Sequence, residues 1–196
     1  MIKKSLPYVD KVVVCDDGST DDTAVLAKKA GAIVISHETN QGYGAAIATL
    51  FDYCRKNNAE IMVTLDGDGQ HSPDQVPDLT NVILKHNVDV VIGSRSLRND
   101  KGLPSYRKAG IKIITSTINS ATDLKVTDSQ SGFRAYSKPA IDLIHPTESG
   151  MAVSTEILLK ISNNGLSMAE VPITVSYTGN TSSENPVTHG SHVIGN

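Results

Sequence analysis

The sequence predicts an α/β fold, with a mostly parallel sheet covered by helices on both faces. Three observations support this. Short β-branched, apolar runs at residues 12–15, 61–65 and 88–92 are nearly continuous, as in strands buried on both faces. They alternate along the chain with longer segments of helical periodicity, the rhythm of a sheet with crossover helices. Each run ends in a polar cluster: Asp16-Asp17, Asp66-Gly67-Asp68 and Ser94-Arg95. In open parallel sheets, ligands bind in the crevice outside the carboxyl ends of the strands.

The elements follow in order. The strand at 12–15 leads through Asp16-Asp17-Gly18 into a helix over 20–30, N-capped by Ser19 or Thr20 and stopped by Gly31. Asp21 and Asp22 suit the positive end of that helix. A short strand is expected at 32–36, and a helix at 43–56 with Ala46, Leu50 and Cys54 on one face. A strand at 61–65, a helix at 73–85 and a strand at 88–92 come next. A helix over 104–121 precedes a polar loop that leads into Ser131-Gly132-Phe133-Arg134. Helices at 139–144 and 154–163 and a strand at 168–175 complete the set. No repeat or linker divides the chain, so residues 1–178 form one domain and 179–196 a polar tail rich in Gly, Ser, Thr, Asn and Pro.

Bulk properties exclude several classes. The chain has 196 residues, enough for one sizeable core, and a net charge of −3 with no basic block, which argues against nucleic-acid binding. Cys15 and Cys54 are isolated, which indicates neither a zinc site nor a disulfide framework and suits a reducing cytoplasm. No apolar run approaches the roughly 20 residues that cross a bilayer, and no signal peptide is visible.

The sharpest chemistry lies in VTLDGDGQHSPD, residues 63–74. Asp66, Asp68 and Gln70 are hard oxygen donors suited to Mg2+ or Mn2+, ions that bridge diphosphates. A calcium loop starting at Asp66 would need Gly and Glu where the chain has His71 and Pro77. An aspartyl phosphatase, using Asp66 as nucleophile, would also follow a strand, but that class usually has Thr or Val where Gln70 stands. A solvated Asp-Gly turn before a Pro-started helix stays open as the structural alternative. The stretch Asn40-Gln41-Gly42-Tyr43-Gly44 is not a dinucleotide fingerprint, because the third glycine position holds Ile47. A glycine-rich helix start still lets a phosphate approach outward-pointing amides.

Six ordered motifs, DDGSTD, N-x-G-x-G-x-A, D-G-D-G-Q-H-x-P, GSR, D-x-x-SGFR and E-V-P-I, resemble those of family 2 glycosyltransferases with the Rossmann-like GT-A fold. The likeness, from about residue 10 to 177, is greatest to the archaeal-style dolichyl-phosphate mannosyl- and glucosyltransferase group. It implies inverting transfer of a hexose from a nucleotide-diphospho-sugar (GDP- or UDP-hexose) to a polyprenyl (dolichyl) phosphate, aided by Mg2+ or Mn2+. Work at the cytoplasmic face of the cell membrane is implied with it, leaving room for peripheral membrane contact and a homo-oligomer. Carried over by motif, Asp16 contacts the donor base and Asp17 supports the turn. Cys15, Asn40, Gly42, Asp66, Gly67 and Arg107 join them in binding the nucleotide sugar. Asp66, Asp68 and Gln70 hold the metal. Arg95 and Arg107 face donor or acceptor phosphates, and Asp128 and Arg134 join Arg95 in the catalytic set. Asp128 is either a general base, needed if the acceptor is a hydroxyl, or a loop cap. Structural ion pairs are the expectation for Glu156 and Glu170, a cap or filler role for His71, and simple exposure for His189 and His192.

The sequence departs from the family's pattern in two places. Relatives open with a strand and a P-x-Y/F-N-E turn that grips the nucleotide, whereas this chain begins at Met1-Ile2-Lys3, as if inside the following helix. Without that strand, those at 12–15 and 61–65 would expose ladder groups, and the chain would be an impaired, GT-A-like binding module. No Lys or Arg occurs beyond Lys160, where relatives often carry a basic stretch; His189 could partly replace it. The Gln-x-x-Arg-Trp motif of processive synthases is excluded, because the chain has no tryptophan.

Overall fold

The computed structural model describes residues 1–98 and 105–176, apart from the side chains of 105–108. Helix α1 (Ile2–Ser5) and a 3-10 turn precede β1 (Val13–Asp16), α2 (Thr23–Lys29), β2 (Ile33–Ser36), α3 (Tyr43–Lys56) and β3 (Ile61–Thr64). Then come α4 (Val76–His86), β4 (Val90–Ser94), α5 (Ser105–Ala121), β5 (Arg134–Ser137), α6 (Lys138–Leu143), α7 (Val153–Asn163) and β6 (Met168–Pro172).

Two boundaries moved for local reasons. Helix α2 begins at Thr23 rather than Thr20, because the Asp21 carboxylate accepts the Thr23 amide at 2.9 Å and closes a turn of its own. The helix expected from Pro73 is a 3-10 turn, Pro73–Gln75, before α4, whose first turn contains Pro77. Proline lacks an amide hydrogen and fits only the first turn of an α-helix. Gly31 ends α2 with φ of +99°, as the sequence suggested.

The strands form two sheets. β1 and β2 pair in parallel, and β3-β5-β4-β6 form a four-stranded sheet in which β4 and β6 are parallel. β5 lies between β3 and β4 and runs antiparallel to both, so the sheet is mixed. The sequence predicts no strand at Arg134-Ala-Tyr-Ser, where two polar residues in four interrupt any apolar run. All four are buried. The reversal matters for the site. Arg134 pairs with Thr64 of β3 and Ile92 of β4, so Ser131-Gly132-Phe133 arrives beside the carboxyl ends of those strands.

Side chains alternate across this sheet with the two-residue period of a strand. Val90, Ile92 and Tyr136 face α3, α6 and α7 with Phe51, Ile141, Ile157 and Leu158, while Val91 and Ala135 face Leu79 and Ile83 of α4. The Phe51 and Tyr136 rings meet edge to face, 4.9 Å apart. Both faces are therefore covered, as the apolar strands required. Beyond β6, Val175 bridges to His71, and Gln75 exchanges hydrogen bonds with the Thr174 backbone at 2.7 and 3.1 Å. This folds the end of the described chain against the Asp66–Gln70 loop.

Candidate active site

At the end of β1, Asp16 and Asp17 do different things. Asp16 is buried, and its Oδ1 has no hydrogen-bond partner. A desolvated carboxylate oxygen without a donor is costly, which marks a place for a ligand's donor or a water. Asp17 holds the next loop. Its Oδ1 accepts from His37 Nδ1 at 2.6 Å and the Gln41 amide at 2.9 Å, and its Oδ2 accepts from the Gly42 amide at 2.8 Å. Burial alone would raise the Asp17 pKa, but these hydrogen bonds hold it below 3.8. His37, which no sequence motif marks, also meets Thr49 Oγ1 at 2.8 Å and Cys15 Sγ at 3.6 Å. Burial, then the Asp17 charge, raises the Cys15 thiol, so it stays protonated and unreactive.

The glycines before and in α3 serve close packing. A Cβ on Gly42, whose φ is +101°, would lie 2.4 Å from Ser149 O, and one on Gly44 would lie 2.0 Å from Glu148 O. Ser149 O accepts the Gly44 amide at 2.7 Å and the Ala45 amide at 3.3 Å. The amides expected to meet a phosphate are thus donated to Asp17 and Ser149. Asn40 stays near the site through its backbone, which packs against Gly18, where a Cβ would lie 2.5 Å from Asn40 N. The 147–150 loop is held in turn by Glu156, whose carboxylate accepts both the Thr147 and Glu148 amides and pairs with Lys160 at 2.8 Å. The expected ion pair of Glu156 is present, with a clasp added.

After β3, Asp66 is drawn inward. Its carboxylate lies against Gly132, where a Cβ would come within 2.7 Å of Oδ2, and Tyr43 donates its hydroxyl to Oδ1 at 3.4 Å. Burial, reinforced by the Asp68 charge, raises the Asp66 pKa, with His71 and Arg95 opposing. Burial also raises the Tyr43 phenol, which remains a donor. Asp68 is exposed and accepts the Gln70 amide at 2.9 Å, and Gly67 leaves open space above the turn. Among the described residues no three His, Cys, Asp or Glu side chains converge on one point. An ion here would rest on Asp66, Asp68 and the Gln70 amide oxygen, with other oxygens from the ligand. That donor set suits Mg2+ or Mn2+, which are commonly held by one or two carboxylates plus substrate phosphates. A cation beside Asp66 would also offset the desolvation of its charge. His71 is buried against the Phe133 ring, with Nδ1 lacking a partner.

After β4, Arg95 and Asp128 form a bidentate pair: Nε to Oδ2 at 2.6 Å and Nη2 to Oδ1 at 2.7 Å, with the Arg95 amide also donating to Oδ2. Asp128 is only 1% exposed. Burial would raise its pKa, but the hydrogen bonds and charge of Arg95 outweigh that and hold it below 3.8. A group with a depressed folded-state pKa contributes stability above its unfolded pKa, lost as pH falls through the folded value. Carboxyl NMR should therefore show Asp128 titrating below the ordinary aspartate range, with its contribution to stability undiminished at neutral pH. Titration within or above that range would contradict the pairing.

Arg134, expected among the catalytic groups, is 2% exposed. Its guanidinium donates to the carbonyls of Ser131 (2.8 Å), Ser154 (3.2 Å) and Ser129 (2.8 Å). It builds the loop beside Asp66 from beneath, as a positioning residue. Glu170, expected in an ion pair, instead receives the amides of Thr127 and Asp128. The Arg107 side chain, His189, His192 and the 179–196 tail lie outside the described residues. Asp66 feels the charge of Arg95, Arg95 pairs with Asp128, and Gly132 of the SGFR loop lies against Asp66. What the sequence hid were the groups that hold the loops: His37, Ser149, Glu156 and Glu170. His37 left one usable signal: it directly follows the short strand expected at 32–36, which sets a ring donor at a strand end as Asp16-Asp17 are set.

Comparison with known proteins bears on the family and the fold. The family model described as "Glycosyl transferase family 2" matches residues 2–144. A UDP-N-acetylglucosamine–dolichyl-phosphate N-acetylglucosaminyltransferase from Methanococcus voltae is 32% identical over 86% of this chain and 76% of its own. A dolichyl-phosphate hexose transferase from Haloferax volcanii is 32% identical over 82% of this chain and 68% of its own. Among solved structures, glucosyl-3-phosphoglycerate synthase from Mycobacterium tuberculosis, bound to Mn2+, uridine diphosphate and glucosyl-3-phosphoglycerate, superposes with a TM-score of 0.72. It is 24% identical, over 98% of this chain and 71% of that one. With strand-end carboxylates, a mixed sheet and a family model spanning most of its length, the chain belongs to glycosyl transferase family 2, glycosyltransferases of the GT-A fold.

Proposed function

We propose that this chain transfers a hexosyl group from a nucleotide-diphospho-sugar to a polyprenyl phosphate. The observation that carries this reading is the Arg95–Asp128 pair. A hydroxyl acceptor would need a general base in the Asp128 position, but that carboxylate is committed to Arg95 and its pKa is held down. A phosphate monoester brings its own negative charge and needs no such base. An acceptor phosphate oxygen attacks the anomeric carbon on the face opposite the diphosphate. The bond from that carbon to the β-phosphate oxygen breaks, its electron pair leaving with the nucleoside diphosphate, and the configuration inverts. The relatives' names, which join sugar transfer to dolichyl phosphate, support this choice of acceptor.

In this reading Asp16 meets the donor's base through its unpartnered oxygen. Asp17 keeps the 41–42 loop in place beside it. Asp66, Asp68 and Gln70 would hold Mg2+ or Mn2+ against the diphosphate, and such an ion would supply charge stabilisation for the leaving group. Arg95, and Arg107 by motif, face phosphates. Among the described residues no helix is long and apolar enough to cross a membrane. Peripheral contact at the cytoplasmic face is the proposed access to a lipid-borne phosphate, in line with the dolichyl-phosphate transfer named for the relatives.

A second reading, nucleotide binding without transfer, is favoured by the break in the sheet. β1 and β3 each pair on one side only among the described residues, and the two sheets share no ladder. Both readings require nucleotide binding. UDP or GDP with Mn2+ should raise the melting temperature, and UDP or GDP alone should raise it less. No shift with either nucleotide would remove both readings, whereas binding without turnover would leave the second.

A further inference from the structure

We propose that Glu170 is a positioning residue of the transfer site, acting through Asp128 on the orientation of the Arg95 guanidinium. This rests on the reading of Arg95 as a phosphate-facing group. Glu170 lies on β6 opposite Ile92 of β4, one strand from the Arg95 turn. Its Oε2 accepts the Thr127 amide at 2.9 Å, and its Oε1 accepts the Thr127 amide at 3.0 Å and the Asp128 amide at 3.1 Å. On β4, Ser94 Oγ and Thr127 Oγ1 share a hydrogen bond of 2.7 Å. Glu170 on β6 therefore pins the backbone amides of Thr127 and Asp128, and Ser94 on β4 holds the Thr127 side chain.

That backbone carries a buried carboxylate which orients a cation. The Asp128 side chain leaves a main chain whose amide is pinned by Glu170, and it meets Nε and Nη2 of Arg95 in the two-pronged geometry that fixes a guanidinium plane. A planar fork discriminates by angle, so a small rotation of the loop at 127–128 would turn the donors away from a phosphate. Two consecutive amides on one carboxylate are also charge-assisted, and this clasp is stiffer than neutral contacts would be. Its neighbours give Glu170 this task rather than an ion pair. Glu156 and Asp17 grip other loops in the same way, but neither loop supports Asp128.

The test combines a double-mutant cycle with a direct view of Arg95. Wild type, Glu170→Ala, Glu170→Gln, Asp128→Asn and the double variant Glu170→Ala/Asp128→Asn are titrated with geranyl phosphate by calorimetry, in the presence of UDP and Mn2+. The Nε–H proton of Arg95, assigned with Arg95→Lys, is followed by NMR in each. Glu170→Ala should weaken geranyl phosphate about tenfold, the scale of losing a supporting hydrogen-bond partner, and Glu170→Gln should recover part of that. The double variant should bind no more weakly than Asp128→Asn alone, because one path is cut twice. Exchange of the Arg95 Nε proton should accelerate in Glu170→Ala while circular dichroism stays native. Multiplying effects in the double variant, or an unchanged Arg95 Nε signal in folded Glu170→Ala, would overturn the proposal. If the wild type fails to bind geranyl phosphate, the acceptor reading falls, and the Arg95 signal alone decides the role of Glu170.

Discussion

Asp66→Asn is expected to lower hexosyl transfer about 10²–10³-fold, the loss typical of removing one group that stabilises charge in a transition state, while the protein keeps or raises its melting temperature. The two halves of this expectation have one cause. Asp66 sits inside the strand end, against Gly132 and beneath the Tyr43 hydroxyl, where burial raises its pKa. An acid whose folded pKa exceeds its unfolded value opposes folding at pH above the folded value, and the penalty is relieved as pH falls through it. The charged form is therefore a cost to the fold that His71, Tyr43 and Arg95 offset only in part, and the amide removes it. Asp68→Asn should cost transfer similarly but leave stability unmoved, because Asp68 is exposed. Thermal unfolding without nucleotide, beside a transfer assay, checks both. A large loss of stability in Asp66→Asn would make Asp66 a structural residue.

Arg134→Met is expected to have the largest effect on stability, about 3–5 kcal/mol, the usual cost of breaking a buried charged network. The guanidinium is 2% exposed and serves three backbone carbonyls, at Ser129, Ser131 and Ser154. Methionine fills much of the volume but takes a charged donor away from each of those buried carbonyls. It also withdraws a positive charge that helps hold Asp128 ionised. For a chain of this size the melting temperature should fall by about 10 °C or more. Arg134→Lys keeps the charge but not the fork and should recover only part of the loss. Unfolding curves for the three proteins provide the check, and a fall of less than about 2 °C in Arg134→Met would contradict this account.

How much of this was legible depended on whether the physics was local. The apolar strands, and the Asp66, Arg95 and Asp16 clusters at their ends, are properties of short windows, and the structure contains them. Helices α3, α5 and α7 likewise announce themselves by periodicity. Strand β5 does not, because Arg134-Ala-Tyr-Ser is buried by tertiary contacts rather than by its own composition. Its antiparallel direction could not be read from the sequence either, yet that direction brings Gly132 to Asp66. Arg134 illustrates the difficulty at one residue. An arginine in a polar motif near a phosphate site reads as a ligand group, and only its three carbonyl partners show it holding up a loop. Glu156 and Glu170 read as ion-pair residues, and Glu156 does pair with Lys160. What the letters could not show is that both also clasp backbone amides, 8–9 and 42–43 residues away in sequence, which carry no letter of their own.

The central claim is that the site passes a hexose to an acceptor already carrying negative charge. The most direct measurement is mass spectrometry of reactions containing the chain, Mn2+, a GDP- or UDP-hexose, and either geranyl phosphate or geraniol. The account predicts a hexosyl phosphate ester from geranyl phosphate, none from geraniol, and loss of product in Asp66→Asn. Transfer to geraniol, or to geranyl phosphate and geraniol alike, would contradict it.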